Sequence, residues 1–143
     1  PSLTGSRVRW PEMSEPQLRI LVVEDHALSR QVAEVLLRHM GHHCVLAEDG
    51  EQALQALARE PFDLVLMDVA MPRMDGLIAL QQLRQRPDLP REVPVLMLTA
   101  HVQKHDLERY QACGANGCMA KPISTDRLRE ELLRLLPERF SDQ

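Results

Sequence analysis

A chain of 143 residues, 44% of them hydrophobic, is long enough for one domain with a sizeable core, and its 3% aromatic content leaves aliphatic side chains to fill that core. The net charge is -4, with Lys and Arg scattered rather than massed on one stripe, which argues against nucleic-acid binding by this segment. No run approaches the ~20 apolar residues of a membrane helix and no signal-peptide core follows Arg7 and Arg9, so no membrane contact is expected of it. Cys44, Cys113 and Cys118 form no CxxC pair and no zinc-like spacing, a pattern that fits inert thiols in a reducing cytoplasm.

Pro1 to Gln17 carry Pro1, Gly5, Pro11 and Pro16 among Ser and charged residues, with no periodicity, and read as a linker or tail. Because the chain opens with Pro rather than Met, the expectation is a piece of a longer protein. One folded domain is expected over residues 18–137, with a charged tail over 138–143.

Regular patterning begins at Leu18. Ile20 to Val23 is an aliphatic run ending in Glu24 and Asp25, and a helix follows with Leu28, Val32, Val35 and Leu36 on one face, stopped by Gly41. His43 to Ala47 is a weaker strand. Asp49 with Gln52 three residues later resembles a capping box, opening a helix with Ala53, Leu54 and Leu57 inward. Pro61 breaks the chain. Leu64 to Met67 shows little alternation, so it suits a strand buried on both faces, and it ends in Asp68. Pro72 and Gly76 mark a turn and a helix start, and Leu77, Leu80 and Leu83 the helix itself. Pro87, Pro90 and Pro94 make Gln85 to Pro94 a loop.

Val95 to Leu98 is a fourth aliphatic run, ending in Thr99 and Ala100. The helix expected around Val102 to Ala112 has a poor apolar stripe, with Leu107 and Tyr110 its best members. Gly114 and Gly117 bracket a turn, Cys118 to Ala120 is a short strand, and Lys121 and Pro122 follow at once. Leu128, Leu132 and Leu135 form a last amphipathic helix that packs on the sheet.

Five strand-then-helix units imply right-handed crossovers and helices on both faces of a parallel sheet. The fold class is therefore α/β, a flavodoxin-like (βα)5 doubly wound sheet in strand order 2-1-3-4-5, with its ligand crevice outside the carboxyl ends of strands 1 and 3. An acid at a strand end ordinarily does no more than close a turn. Here, however, Glu24 and Asp25 follow the first strand, Asp68 the third, Thr99 the fourth and Lys121 the fifth, all on one edge of the sheet.

Three carboxylates in one crevice repel; two unit charges ~4 Å apart cost about 4 kcal/mol at an effective dielectric of ~20. A compensating cation is expected, and an oxygen-only donor set suits a hard ion such as Mg²⁺. Lys121 adds a compact ammonium and Thr99 a hydroxyl, both suited to phosphoryl oxygens. The combination fits phosphoryl transfer onto Asp68 as nucleophile, with an acyl phosphate as product.

The motifs VVED at Val22 to Asp25, LMDVAMPRMDG at Leu66 to Gly76, LTA at Leu98 to Ala100 and AKP at Ala120 to Pro122 together resemble the receiver domains of two-component response regulators and hybrid sensor kinases. The resemblance runs from about Leu18 to Leu136. It implies that Glu24 and Asp25 hold Mg²⁺ with Asp68 and the backbone carbonyl of Ala70. By the same resemblance Asp68 accepts a phosphoryl group from a phosphohistidine on a histidine kinase or histidine phosphotransfer domain, and a downstream phosphotransfer partner is possible. Thr99 shifts toward the phosphoryl group, Lys121 pairs with it, and a cis peptide precedes Pro122.

One position departs from the pattern. The residue three before the lysine is commonly aromatic in the family and moves with the threonine; here it is Cys118, so output is expected through backbone movement of the fourth strand and helix. Ala70 and His101 border the water route to the phosphoryl group by resemblance and are expected to set its lifetime. His26 reads as a solvent-facing loop residue, and Met71, Met74 and Met97 as packing.

The Pro-containing leader, the lack of an output domain after Leu136 and the VVEDHALSRQVA opening look most like the carboxyl-terminal receiver of a hybrid sensor histidine kinase. That would be a cytoplasmic domain of a parent anchored in the inner membrane. A response regulator receiver cut from its effector is the alternative, and a non-phosphorylated scaffold of the same fold a further one. A phosphohydrolase with an aspartyl-phosphate intermediate wants a second acid two residues after the nucleophile, where Ala70 stands. No GxGxxG or GxxxxGKS/T loop follows any strand, which disfavours nucleotide binding.

Overall fold

A computed structural model describes residues 17–71, 74–100 and 102–140. The leader before Gln17, the turn residue Pro72 and His101 lie outside the described residues. From Leu18 onward the chain alternates strand and helix: β1 Arg19–Val23, α1 Ala27–His39, β2 His43–Ala47, α2 Gly50–Arg59, β3 Leu64–Asp68, α3 Gly76–Gln85, β4 Val95–Thr99, α4 Lys104–Ala112, β5 Gly117–Ala120 and α5 Thr125–Leu135, closed by a 3-10 turn over Pro137–Arg139. All strand pairs are parallel and the order is β2-β1-β3-β4-β5, the expected 2-1-3-4-5 arrangement.

Strand side chains alternate between two apolar layers, which is why these runs lack polar positions. Ile20, Val22, Leu64, Leu66, Leu96, Leu98 and Met119 face a core completed by Leu128 and Leu132 of α5 and by Ala33 and Leu37 of α1. Leu21, Val23, Val65, Met67, Val95, Met97 and Cys118 face a second core completed by α2, α3 and α4. Met71, Met74 and Met97 all belong to this second core, as packing residues.

The first helix turns its apolar stripe away from the sheet. Leu28, Val32 and Val35 do not face the sheet: they are 65%, 46% and 69% exposed, and Leu36 is only half-buried. The small Ala33 and the single Leu37 seat α1 instead. At the carboxyl end Phe140 packs against the α1/α5 core and Arg139 Nη1 lies 2.6 Å from Asp63 Oδ1.

Local signals set the helix starts. Asp49, Asp75 and Ser124 accept from the backbone N–H of Gln52, Ile78 and Arg127, satisfying donors that an open helix end leaves orphaned. The Asp49–Gln52 box closes in altered form: the Gln52 side chain accepts from Glu48 N at 2.9 Å, one residue earlier than the reciprocal bond expected. The Gln85 to Pro94 loop is held by Arg84. Its guanidinium donates to the carbonyls of Arg91 (2.8 Å), Val93 (2.6 Å) and Gly114 (3.0 Å) and to Asn116 Oδ1 (2.9 Å), and burial lowers its pKa.

Gly76 opens α3 directly against the end of β3. Its N–H donates to Val69 O at 3.0 Å, and a Cβ there would be driven into the backbone carbonyl oxygen of Asp68, with Met97 Cε only 2.9 Å away. Gly76→Ala is therefore expected to lower stability by about 1–3 kcal/mol, the usual cost of overpacking, measured as a lower midpoint in urea unfolding.

On α5, buried Glu131 accepts from Arg127 Nη1 and Arg134 Nη2, each at 2.5 Å, and Arg134 Nη2 also donates to Asn116 O. Burial opposes ionisation, but the two guanidiniums outweigh it and hold the Glu131 carboxyl below its ordinary 4.5. A folded-state pKa below the unfolded one adds stability that is complete above about pH 4.5 and lost as pH falls through the folded value. Thermal unfolding across pH 3 to 7 should accordingly show a flatter acid limb in Glu131→Gln than in the parent.

Candidate functional site

The strand ends bring the acids together through register and parity. Val23 pairs with Met67, Asp68 with Leu98, and Thr99 with Ala120, so the four ends lie level along one edge. Glu24, Asp68 and Lys121 continue the alternation of Val22, Leu66 and Met119 and so share the α1/α5 side. Glu24 and Asp68 are 2% and 4% exposed, and Asp25 beside them is open to solvent. One carboxylate oxygen from each of Glu24, Asp25 and Asp68 can be chosen so that all lie within 4.8 Å of one another.

Lys121 reaches into this cluster. Its Nζ is 3.1 Å from Asp68 Oδ2 and 3.3 Å from Glu24 Oε1. Partial burial opposes its charge, but the two carboxylates outweigh that and raise its pKa, so it is a fixed cation at neutral pH. Glu24 is pushed up, first by burial and then by the neighbouring Asp68 carboxylate, against the pull of the His26 amide and of Lys121. Ala70 N donates to Asp68 Oδ1 at 3.3 Å and His26 N to Glu24 Oε2 at 3.1 Å. A backbone bond of 2.8 Å from Lys121 N to Thr99 O ties the last two strand ends, and the Lys121–Pro122 peptide is cis, as the resemblance implies.

One cleft of about 400 Å³ is lined by Glu24, Asp25, His26, Ser29, Asp68, Val69, Ala70, Thr99, Ala100 and Lys121. It collects six residues named from sequence: Glu24, Asp25, Asp68, Ala70, Thr99 and Lys121. Cys118 is not among them. It is 3% exposed, faces the α2/α3/α4 core, and burial raises its thiol pKa, as burial pushes Cys44 up to about 11. Both are poor nucleophiles. His26 is exposed at the start of α1, outside the acidic cluster.

Sequence reasoning missed Arg30. Its Nη1 donates to the carbonyls of Glu24 at 2.8 Å and Asp25 at 3.3 Å, pinning the acidic loop from the first turns of α1. An arginine in an exposed-looking helix carries no signal of that task. It also missed a second cavity of about 170 Å³ beside the cleft, lined by Val22, Leu28, Val32, Ala33, Leu98, Pro122 and Ile123 and sharing Glu24, Ser29 and Lys121 with the cleft.

The donor set suits a hard divalent cation: three clustered carboxylates, no sulfur or imidazole, and a single ammonium that leaves two negative charges unbalanced.

Residues 20–133 match the response regulator receiver domain family. Sensor histidine kinase AruS of Pseudomonas aeruginosa is 41% identical over 132 residues, which are 92% of this chain and 13% of AruS. Signal transduction histidine-protein kinase BarA of Escherichia coli is 35% identical over 124 residues, 87% of this chain and 13% of BarA. The chain thus spans about an eighth of the length of these relatives. Among solved structures, the receiver domain of sensor histidine kinase PA1611 from Pseudomonas aeruginosa, with a magnesium ion coordinated in its active site cleft, is 34% identical with a TM-score of 0.75, over 85% of this chain and 99% of that one. Chemotaxis protein CheY4 of Vibrio cholerae is 30% identical with a TM-score of 0.77, over 85% of this chain and 100% of that one. Fold, acidic cleft and relatives agree: this chain belongs to the response regulator receiver domain family of two-component signalling.

Proposed function

We propose that Asp68 is the phosphoacceptor of this receiver and takes its phosphoryl group from a phosphohistidine of a histidine kinase or histidine phosphotransfer domain. The observation that carries this is the pairing of a nearly buried Asp68 carboxylate with the Lys121 ammonium at 3.1 Å inside an otherwise acidic cleft. A carboxylate oxygen of Asp68 attacks phosphorus, the P–N bond to the donor imidazole breaks, and the imidazole leaves with a proton from solvent. The product is an acyl phosphate. Lys121, already charged and aimed at Asp68, holds a phosphoryl oxygen, and Thr99 on the opposite wall supplies a hydroxyl.

Glu24, Asp25, Asp68 and the backbone carbonyl of Ala70 are the residues that would hold Mg²⁺. The ion supplies charge neutralisation between the acids and the incoming phosphoryl group. Catalysis beyond that is positioning, which the loose transition state of phosphoryl transfer chiefly requires. The acyl phosphate then biases a conformational equilibrium of the domain and so its choice of partner. Ala70 and His101 are assigned to control of its lifetime, and exchange of both should change the dephosphorylation rate.

The relatives AruS and BarA are histidine kinases, which supports a histidine kinase as parent; we propose that this parent is a hybrid kinase anchored in the inner membrane with this domain on its cytoplasmic side. Among the described residues no helix is long and apolar enough to cross a membrane.

Incubation with a phosphohistidine donor and Mg²⁺ should give acid-stable label on the parent and none on Asp68→Asn; equal label on both would overturn the acceptor assignment. The melting temperature should rise with Mg²⁺ through selective binding to the folded state, and Asp25→Asn should lose most of that rise.

A further inference from the structure

Arg30 lies against the backbone of the acidic loop yet pairs with none of the three cleft carboxylates. Its Nη1 donates to the Glu24 carbonyl at 2.8 Å and to the Asp25 carbonyl at 3.3 Å, and its Nη2 lies 3.8 Å from Oε2 of Glu48, in the β2–α2 loop. The side chain is 17% exposed and is not among those that line the cleft. No side-chain cap holds the loop at this helix start. Helices α2, α3 and α5 open on the capping side chains of Asp49, Asp75 and Ser124, whereas His26 at the head of α1 forms no side-chain cap bond and the first turn holds no acid. Arg30 sits in that first turn, where the helix dipole disfavours a cation. A guanidinium kept there, against the dipole and apart from three available carboxylates, is explained by the two carbonyls it grips.

The grip is braced from the other side. Glu24 N donates to Ala47 O at 3.0 Å, and the N–H of Glu48, one residue on, donates to Gln52 Oε1 of α2 at 2.9 Å. Both backbone groups of Glu24 are thus fixed, the N–H by β2 and the carbonyl by Arg30. We propose that Arg30 is the positioning residue of the metal site: by holding the carbonyls of Glu24 and Asp25 it fixes the backbone from which their carboxylates converge with Asp68, and so sets the affinity for Mg²⁺. The proposal rests on those three acids being the Mg²⁺ ligands. It bears most on Asp25, whose side chain is exposed and takes its place in the cluster from the loop backbone. Groups that orient metal ligands are worth roughly 10–100-fold in affinity. Charge alone predicts the opposite sign, because removing a cation near a divalent ion relieves repulsion and tightens binding. The direction of the change therefore separates the two effects.

Isothermal titration calorimetry of Mg²⁺ into the unphosphorylated protein reads the affinity directly. Arg30→Met, which keeps an apolar stem and removes the donors, should raise the Kd about tenfold or more. Arg30→Lys keeps the charge but not the planar fork, and should weaken binding in the same direction by less. Arg38→Met, which removes a cation from the last turn of the same helix, should leave the Kd unchanged. In labelling from phosphoramidate, a small donor with a P–N bond, the Mg²⁺ concentration giving half-maximal rate should rise in Arg30→Met by the same factor as the Kd, and excess Mg²⁺ should restore the label.

Unchanged or tighter Mg²⁺ binding by folded Arg30→Met would overturn the proposal, as would a loss of label that excess Mg²⁺ does not restore. If Arg30→Met does not fold, Arg30→Lys decides, and an affinity equal to that of the wild type overturns the proposal. Equal weakening in Arg38→Met would assign the loss to α1 as a whole and also overturn it. Absence of Mg²⁺ binding by the wild type would instead overturn the metal assignment beneath it.

Discussion

The contact on which the site depends is Lys121 between Asp68 and Glu24, two carboxylates that are nearly buried. Burial favours the neutral form of Glu24, and the crowding of three carboxylates adds repulsion of a few kcal/mol at a separation of ~4 Å and an effective dielectric of ~20. One ammonium cannot balance three acids. The imbalance leaves the cleft about two positive charges short of neutrality, which is what a divalent cation would supply. Such a site costs the fold stability in exchange for ligand affinity, a trade expected where function and stability diverge.

That contact spans 97 residues of sequence, from Glu24 to Lys121, and it exists only because the sheet is parallel and in register. Parity turns Glu24, Asp68 and Lys121 to the same side, and a slip of one residue in β1, β3 or β5 would send one of them to the other face. Several features guard the register at the β3 end. Val69 N bonds to Leu98 O, Gly76 N returns to Val69 O, and the missing side chain at Gly76 lets α3 begin against the Asp68 carbonyl. At the other edge of the sheet Arg84 performs a similar service, tying Gly114, Val93 and Asn116 into one network.

The strands and five of the six cleft residues were legible because they obey one-dimensional rules: apolar runs of strand length, each ended by chemically distinctive residues; Ala70 came only through the resemblance. What escaped was relational. Leu28, Val32 and Val35 announce an amphipathic helix but not which face meets the sheet, since periodicity specifies a stripe and leaves its partner open. The small Ala33 and Leu37 let α1 lie close enough to the sheet for the larger residues to be left outside. Arg30 and Arg84 look like ordinary surface charges until the carbonyls they clamp are seen, and those come from other elements. The turn at Gly76 was visible, but the collision that demands glycine there was not.

Anchoring of the helices beside the cleft is uneven, and this bears on how a change at Thr99 spreads without an aromatic at position 118. α5 is bound to the sheet by Leu128, Leu132 and the Glu131 network that reaches Asn116. α4 buries only Tyr110, and its first turn has no side-chain cap bond from Gln103. Tyr110 belongs to the same apolar cluster as Cys118, and the strand parity of Thr99, after Val95 and Met97, points to that layer. Local stability follows the number of such anchors. A displacement of the β4 end drawn toward the cleft therefore meets least resistance in α4, where one buried tyrosine must repack around a small thiol, and most in α5, where two guanidiniums and a buried carboxylate would have to part.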